Sequence, residues 1–358
     1  MSQQENPSQK PTDVEQSLYA KHKKVYARET PGKFNSLRWF FVFLTQAIFY
    51  FGPWLQWNGR QALLFDLAER KFYLFGLVLW PQDVIYLSII LLLSAFGLFL
   101  FTAVAGRLFC GYACPQTVYT EIFMWIENRL EGDRNARIKL DQSPMSGRKF
   151  RIKASKYFLW GVLSLWTGIT FVGFFMPMKD LIQELLTLTI SGWSAFWVFF
   201  YSAFCFLQAG FMREQVCKYM CPYARFQGVM FDPDTLIVTY DEARGEPRGA
   251  RRKTDDLKAK GIGDCVDCKV CVQVCPTGID IRNGLQYECI GCGLCIDACN
   301  EIMVKMDYPP GLIRYATENS VAKQYTSSET MRHVFRPRIL LYTGILLLIF
   351  AAFVYSLG

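Results

Sequence analysis

Five apolar stretches divide an otherwise polar chain. The first runs from Trp39 to Trp57, with aromatic ends and a Gly52-Pro53 break near its far end. The second, Val84 to Gly106, carries no charge. The others are Tyr157 to Pro177, Gly192 to Met212 and Ile339 to Leu357. A helix rises about 1.5 Å per residue, so roughly 20 residues cross roughly 30 Å of hydrocarbon, and each stretch predicts a spanning helix. The patch Phe72 to Trp80 is too short to span and predicts a segment lying in the interface. Val118 to Leu130 predicts an amphipathic helix.

Charge orients these spans. Between the second and third lie Arg129, Arg134, Arg137, Lys139, Arg148, Lys149, Arg151 and Lys153, whereas the loop between the third and fourth has Lys179 as its one basic residue. The positive-inside rule then gives an N-in, C-out topology of five helices. Residues 1–37 are polar, with Lys21, His22, Lys23 and Lys24 and no apolar signal-peptide core, and predict a flexible cytoplasmic arm. The expected division is this arm, a four-helix membrane domain over 38–222, a soluble domain over 223–337, and the fifth helix over 338–358.

Composition supports this outline. The 358 residues are 52% hydrophobic and 16% aromatic, with net charge +8. That charge sits in loops rather than among aromatics, which argues against nucleic acid and for a lipid bilayer as partner. Only His22 and His333 are present, with no C-x-x-C-H, which argues against a multihaem protein, and both read as surface residues. No glycine-rich phosphate loop follows a predicted strand.

The chemistry is concentrated between Cys265 and Cys299. Cys265, Cys268, Cys271 and Cys275 follow C-x2-C-x2-C-x3-C, with Pro276 next, and Cys289, Cys292, Cys295 and Cys299 repeat that spacing with Asn300 in the proline position. Three thiolates of such a loop wrap one iron-sulfur cubane, while the fourth, carried on the following helix, reaches the neighbouring cluster. The expected ligand sets are therefore Cys265, Cys268, Cys271 and Cys299 for one [4Fe-4S] cluster, and Cys289, Cys292, Cys295 and Cys275 for the other. Zinc ribbons use cysteine pairs, and disulfides are poorly suited to the reducing side of a membrane. The fold class is thus mainly α, a polytopic membrane protein of five transmembrane helices with an inserted bacterial-type ferredoxin domain.

A second cysteine set emerges as a repeat. Cys110-Gly-Tyr-Ala-Cys114-Pro115 closes the first helix pair and Cys217-Lys-Tyr-Met-Cys221-Pro222 the second, about a hundred residues later. On a continuing helix, cysteines four apart share a face, and a proline just beyond breaks that helix. Both motifs fall at the cytoplasmic membrane edge, where pseudo-symmetry can bring them face to face. Cys110, Cys114, Cys217 and Cys221 then form a four-thiolate site suited to Cu(I), an iron-sulfur centre or a redox-active disulfide, against a plain reading as small packing residues.

Other residues carry less. Met176 and Met178 offer two thioethers as a weak outer copper contact, against ordinary apolar filling. Cys205 reads as core packing. Trp80, Gln82 and Asp83 read as an aromatic-belt anchor, with a quinone or ion entry site as the sharper alternative. The basic segment Arg244 to Lys260, including Arg248, Arg251, Arg252 and Lys253, reads as a connector against anionic headgroups, with docking of an acidic electron donor as the alternative.

These features resemble the FixG/RdxA/CcoG-type cytochrome c oxidase accessory proteins. The likeness rests on the two C-x-x-x-C-P motifs, the run Cys275-Pro-Thr-Gly-Ile-Asp-Ile-Arg-Asn-Gly284, Tyr287-Glu-Cys289-Ile-Gly-Cys292, and Tyr308-Pro-Pro-Gly-Leu-Ile-Arg-Tyr315. The resemblance implies a bacterial inner-membrane protein that reduces Cu(II) to Cu(I) for assembly of a cbb3-type oxidase, with that oxidase's assembly factors as partners. Such proteins usually continue past the fifth helix into an immunoglobulin-like periplasmic domain, and the expectation for this chain, which stops at Gly358, is that it departs from the family by lacking that domain.

Three functions follow as expectations. The first is a cupric reductase fed from an unspecified cytoplasmic donor, with the membrane-edge thiols as the redox or copper site. The second is a quinol dehydrogenase-type relay. The third is a non-catalytic copper-binding assembly factor. A homodimer is entertained with no motif behind it.

Overall fold

The computed structural model describes residues 24–251, 261–323, 325 and 327–357. Lys21, His22, Lys23, Arg252, Lys253 and Gly358 lie outside the described residues.

The first helix, α1 (Lys33–Phe51), stops earlier than its apolar pattern suggests. Pro53 cannot donate to the helical ladder, and Gly52–Trp54 tightens into a 3-10 turn. Gln56–Trp57 beyond it pairs with Arg60–Gln61, so Trp57 stands outside the helix.

The patch expected to lie in the interface is instead part of an antiparallel meander: β1 (Leu63–Asp66), β2 (Lys71–Leu74) and β3 (Leu77–Leu79). Its register stacks Phe65, Phe72 and Leu79 across neighbouring strands. Phe75, at φ 54°, and Gly76 make the tight turn between β2 and β3. Apolar length alone hid this alternation. The Gln61 side chain fastens the meander, donating to Gly173 O at 2.6 Å and accepting from Met178 N–H at 3.0 Å.

The helices that follow are α2 (Val84–Ala105), α3 (Leu108–Tyr112), α4 (Pro115–Glu131), α5 (Arg134–Gln142), α6 (Gly147–Val172), α7 (Met178–Leu186) and α8 (Gly192–Leu207). Three segments among the described residues are long and apolar enough to cross a membrane: Pro81–Ala105, Gly192–Met212 and Pro337–Ser356. The other two expected spans are also helical. α1 carries the buried Arg38, and α6 opens on Arg148, Lys149, Arg151 and Lys153. α8 packs along α6, and the last helix packs along α2.

The amphipathic stretch folds as α4. Its Glu127 is fully buried and meets Arg213 at 2.8 Å, Lys24 at 3.4 Å, Lys156 at 3.5 Å and Arg137 at 3.6 Å. Glu131 adds contacts of 2.8 Å to both Lys153 and Lys156. Arg137 and Lys153, two residues of the basic loop used to orient the chain, thus join Lys24, Lys156 and Arg213 in one ionic cluster that ties α4, α5 and α6 together.

After α9 (Pro222–Met230), the ferredoxin unit is framed by β4 (Ile237–Tyr240) paired antiparallel with β5 (Ile313–Ala316). Between them stand α10 (Val270–Gln273) and α11 (Leu294–Lys305), and α12 (Pro337–Leu357) ends the described chain. Val238, Ile281, Ile296, Met303, Leu312 and Ile313 form the core under Cys265 and Cys271. A second core, Val274, Ile290, Leu294 and Ala298, surrounds Cys292 and also takes in Cys110 from the membrane unit.

Candidate iron-sulfur and thiol centre

The two cysteine loops share one backbone device. Asp267 and Lys269 flank Cys268 at φ 50° and 55°, and Gly291 and Gly293 flank Cys292 at φ 64° and 75°. Left-handed residues on both sides of the middle cysteine curl each loop round its sulfurs. The Gly291 N–H faces the Cys289 thiol and the Leu294 N–H faces Cys292. Helices α10 and α11 begin immediately after Lys269 and Gly293, so the third cysteine of each loop sits in a first helical turn.

The cysteines are grouped crosswise. Cys299, one turn beyond Cys295 on α11, lies in the field of Cys265, Cys268 and Cys271. Cys275 lies in the field of Cys289, Cys292 and Cys295. A small cavity is lined by Cys271, Cys275, Cys289, Cys292 and Cys295. Burial pushes the Cys271, Cys289 and Cys299 thiols up to about 12, with neighbouring cysteines adding to the rise. Such sulfurs stay protonated without a positive partner, and the iron of a cubane supplies that charge. Donor type and number therefore fit two [4Fe-4S] clusters, and the cavity lies at the second quartet. Cys268 is exposed and marks the outer edge of the unit.

The second thiol set is brought together, although not as two helix faces. Cys110 lies in α3, whereas Cys114 adopts an extended conformation (ψ 127°) as the N-cap of α4. Cys217 lies in a π-helical turn, Val216–Met220, and Cys221 (ψ 111°) caps α9. Pro115 and Pro222 stand at the first position of a new helix, where a missing N–H costs nothing. Each proline thus starts a helix rather than ending one. The Gln116 and Thr117 N–H groups face the Cys114 thiol. All four thiols lie in one another's field. Burial and these neighbours push Cys110 up to about 11 and Cys217 up to about 12. Among the described residues no three His, Cys, Asp or Glu side chains are gathered tightly enough for a single metal ion.

The thiol set is seated on the second ferredoxin loop. Tyr112 Oη donates to Cys292 O at 3.0 Å, and Tyr315 Oη donates to Gly291 O at 2.5 Å. Arg38, 2% exposed, donates to Gly111 O and pairs with Glu121 at 2.9 Å, beside Cys292. Arg107 binds the carbonyls of Tyr287 and Ala224 and lies near Cys110, Cys217 and Cys289. Asp297 of α11 accepts from Asn35 N–H at 2.9 Å, supplying the cap that α1 lacks from its own sequence. Fully buried Gln227 accepts from the Cys110 thiol at 3.4 Å.

Sequence reasoning missed Arg38, Arg107, Tyr112 and Gln227. A charge inside an apolar run needs a partner, so Arg38 carried a readable signal. The other three acquire meaning only through contacts made across the fold.

The weaker candidates resolve locally. Met178 is buried among Val172, Leu181 and Val198, with Met176 against the same cluster. Cys205 packs near Phe123 and Trp160. The Asp83 carboxylate accepts from Trp80 N–H at 2.9 Å and closes a turn. His333 stacks on Tyr325. In the basic connector, Arg244 pairs with Asp264 at 2.5 Å and Arg251 donates to Gly263 O at 2.6 Å, so both tie the ferredoxin loops.

Comparison with known proteins matches this geometry. Residues 212–318 match a 4Fe-4S dicluster domain, and residues 87–132, which include Cys110 and Cys114, match a 4Fe-4S binding domain. The chain is 40% identical to the nitrogen fixation protein FixG of Rhizobium meliloti, covering 92% of itself and 68% of that protein. It is 41% identical to protein RdxA and 43% identical to protein RdxB of Cereibacter sphaeroides, covering 71% and 70% of them. No solved structure matches it. A membrane iron-sulfur electron-transfer protein in outline, the chain belongs to the FixG/RdxA family.

Proposed function

We propose that this protein reduces Cu(II) to Cu(I) at the thiols of Cys110, Cys114, Cys217 and Cys221, as a step in assembling a cbb3-type oxidase. The observation that carries this reading is the seating of Gly111 and Tyr112 on the loop of Cys289, Cys292 and Cys295. Cys265, Cys268, Cys271 and Cys299 would hold one cluster, and Cys275, Cys289, Cys292 and Cys295 the other. When bound, these clusters supply one-electron carriers.

The chain's own residues shape the rest. Exposed Cys268 puts the first quartet nearest an external donor, and Cys292 puts the second against the membrane-edge thiols. Arg107 sets a positive charge between the second quartet and the thiols, which favours their anionic forms. Cys217 lines a cavity of about 380 Å³ through which a metal substrate can approach. Each Cu(II) takes one electron to become Cu(I), and soft thiolates bind the product in preference to the reactant. The bacterial relatives favour a bacterial inner membrane, and the charge distribution favours placing these sites on its cytoplasmic side.

The test is anaerobic copper reduction by purified variants. Cys110→Ser and Cys217→Ser are each expected to abolish Cu(I) formation while keeping both clusters. Full activity in both variants contradicts the assignment.

A further inference from the structure

The membrane-level helices enclose a cavity of about 370 Å³ that no step above uses. Its walls come from α1, α4, α6 and α8, with Gln46, Phe49, Tyr119, Phe171, Tyr201 and Phe204 among them. The cytoplasmic end is formed by Ala113 and Pro115, the residues on either side of Cys114. Phe204 is 49% exposed, so this wall of the cavity faces the lipid.

Two polar atoms in these walls are unsatisfied. Gln46 Oε1 and Tyr119 Oη are buried without a hydrogen-bond partner. Tyr119 lies against the Tyr50–Thr167 hydroxyl pair, itself bonded at 2.9 Å, without completing a bond to either. A buried orphan of this kind costs about 1–3 kcal/mol, so a native site that keeps two of them beside a cavity has a use for them. Water fits poorly. The cavity has room for several molecules, each needing two to four polar partners, and its lining is mostly aromatic and aliphatic.

We infer that this cavity binds the head ring of a membrane quinol or quinone. A flat ring of that class fills an aromatic-lined space of this size, within the usual range of about 300–1,000 Å³ for small-ligand sites. Gln46 Oε1 accepts a hydrogen bond from a ring hydroxyl, and the Tyr119 hydroxyl bonds a ring oxygen. The apolar tail leaves past Phe204 into the bilayer. The inference concerns binding alone and does not rest on the copper reading.

The test uses the detergent-purified, cluster-loaded full chain. Decylubiquinol and menadiol are titrated anaerobically into the reduced protein by calorimetry, and an azidoquinone is photo-crosslinked and mapped by mass spectrometry. Saturable binding is expected, weakened about tenfold by Gln46→Leu and by Tyr119→Phe with cluster absorbance unchanged. The photolabel is expected on peptides from 39–51 and 115–131, displaced by decylubiquinone. Should either variant misfold, the label map on the unaltered protein decides. Unchanged affinity in both variants, labelling confined to the lipid-facing helix surfaces, or the absence of saturable binding overturns the proposal. Each of those results would leave the cavity to water or an acyl chain.

Discussion

A methyl group placed on Gly111 would stand 2.9 Å from the Cα of Cys292 and 2.8 Å from the carbonyl oxygen of Ile290. The first membrane-edge thiol motif therefore rests backbone to backbone on a ferredoxin cysteine loop. Two cysteine sets that lie far apart in sequence become one structure there.

Gly111→Ala forces that seam apart. Overpacking against backbone atoms typically costs about 1–3 kcal/mol, and the neighbours here have little freedom to move. The expected result is a lower thermal midpoint and copper reduction slowed at least about tenfold, with normal iron content. Thermal unfolding, iron analysis and Cu(I) chelation on one preparation check it.

Arg38 and Glu121 form a buried pair at 2.9 Å. Removing one partner strands a charge at a cost of about 3–5 kcal/mol, whereas removing both is far milder. Arg38→Met is expected to destabilise strongly, and Arg38→Met with Glu121→Gln to recover much of the loss. Because Arg38 is the cation beside Cys292, the double variant should also lower the midpoint potential of the adjacent cluster. Denaturant titration and redox-poised spectroscopy read the two effects separately.

Acid should act on the ionic cluster beneath α4. Burial opposes the charge on Glu127, but Arg213, Lys24 and Lys156 outweigh it and hold its pKa at about 2, below the ordinary 4.5. A depressed carboxylate stabilises the fold above its unfolded pKa and loses that contribution as pH falls through its folded value. The contribution of Glu127 is expected to be complete above pH 4.5 and lost progressively toward pH 2. Glu127→Gln should flatten this part of the stability profile and lower stability at neutral pH, as shown by melting curves against pH.

Iron removal should expose the cysteines unequally. Cys268 is exposed, whereas Cys265, Cys271 and Cys292 are buried. After chelation under reducing conditions, alkylation followed by mass spectrometry should find Cys268 modified first and Cys292 late. Reconstituted clusters should protect all eight positions.

Much of this was legible in the chain. Cubane ligation tolerates little variation in spacing, so the two C-x2-C-x2-C-x3-C runs announced the ferredoxin unit and the crosswise grouping of Cys275 and Cys299. Apolar length located helices well and their ends poorly, as the early stop of α1 at Pro53 shows. The meander at 63–79 was hidden because strands this short are defined by partners rather than by run length. The thiol repeat announced a site but not its construction. Pro115 and Pro222 start helices, and π-helical turns such as Val216–Met220 have no short sequence signature. Arg107 and Gln227 became site residues only when the ferredoxin unit and α9 closed over α3.

The most direct test of the central claim is rapid anaerobic mixing of the dithionite-reduced, purified protein with Cu(II), recording cluster absorbance and a Cu(I) chelator together. Cluster reoxidation is expected in step with Cu(I) formation, one copper per electron, with loss of both signals in Cys110→Ser. Copper that binds while the clusters stay reduced would contradict the claim.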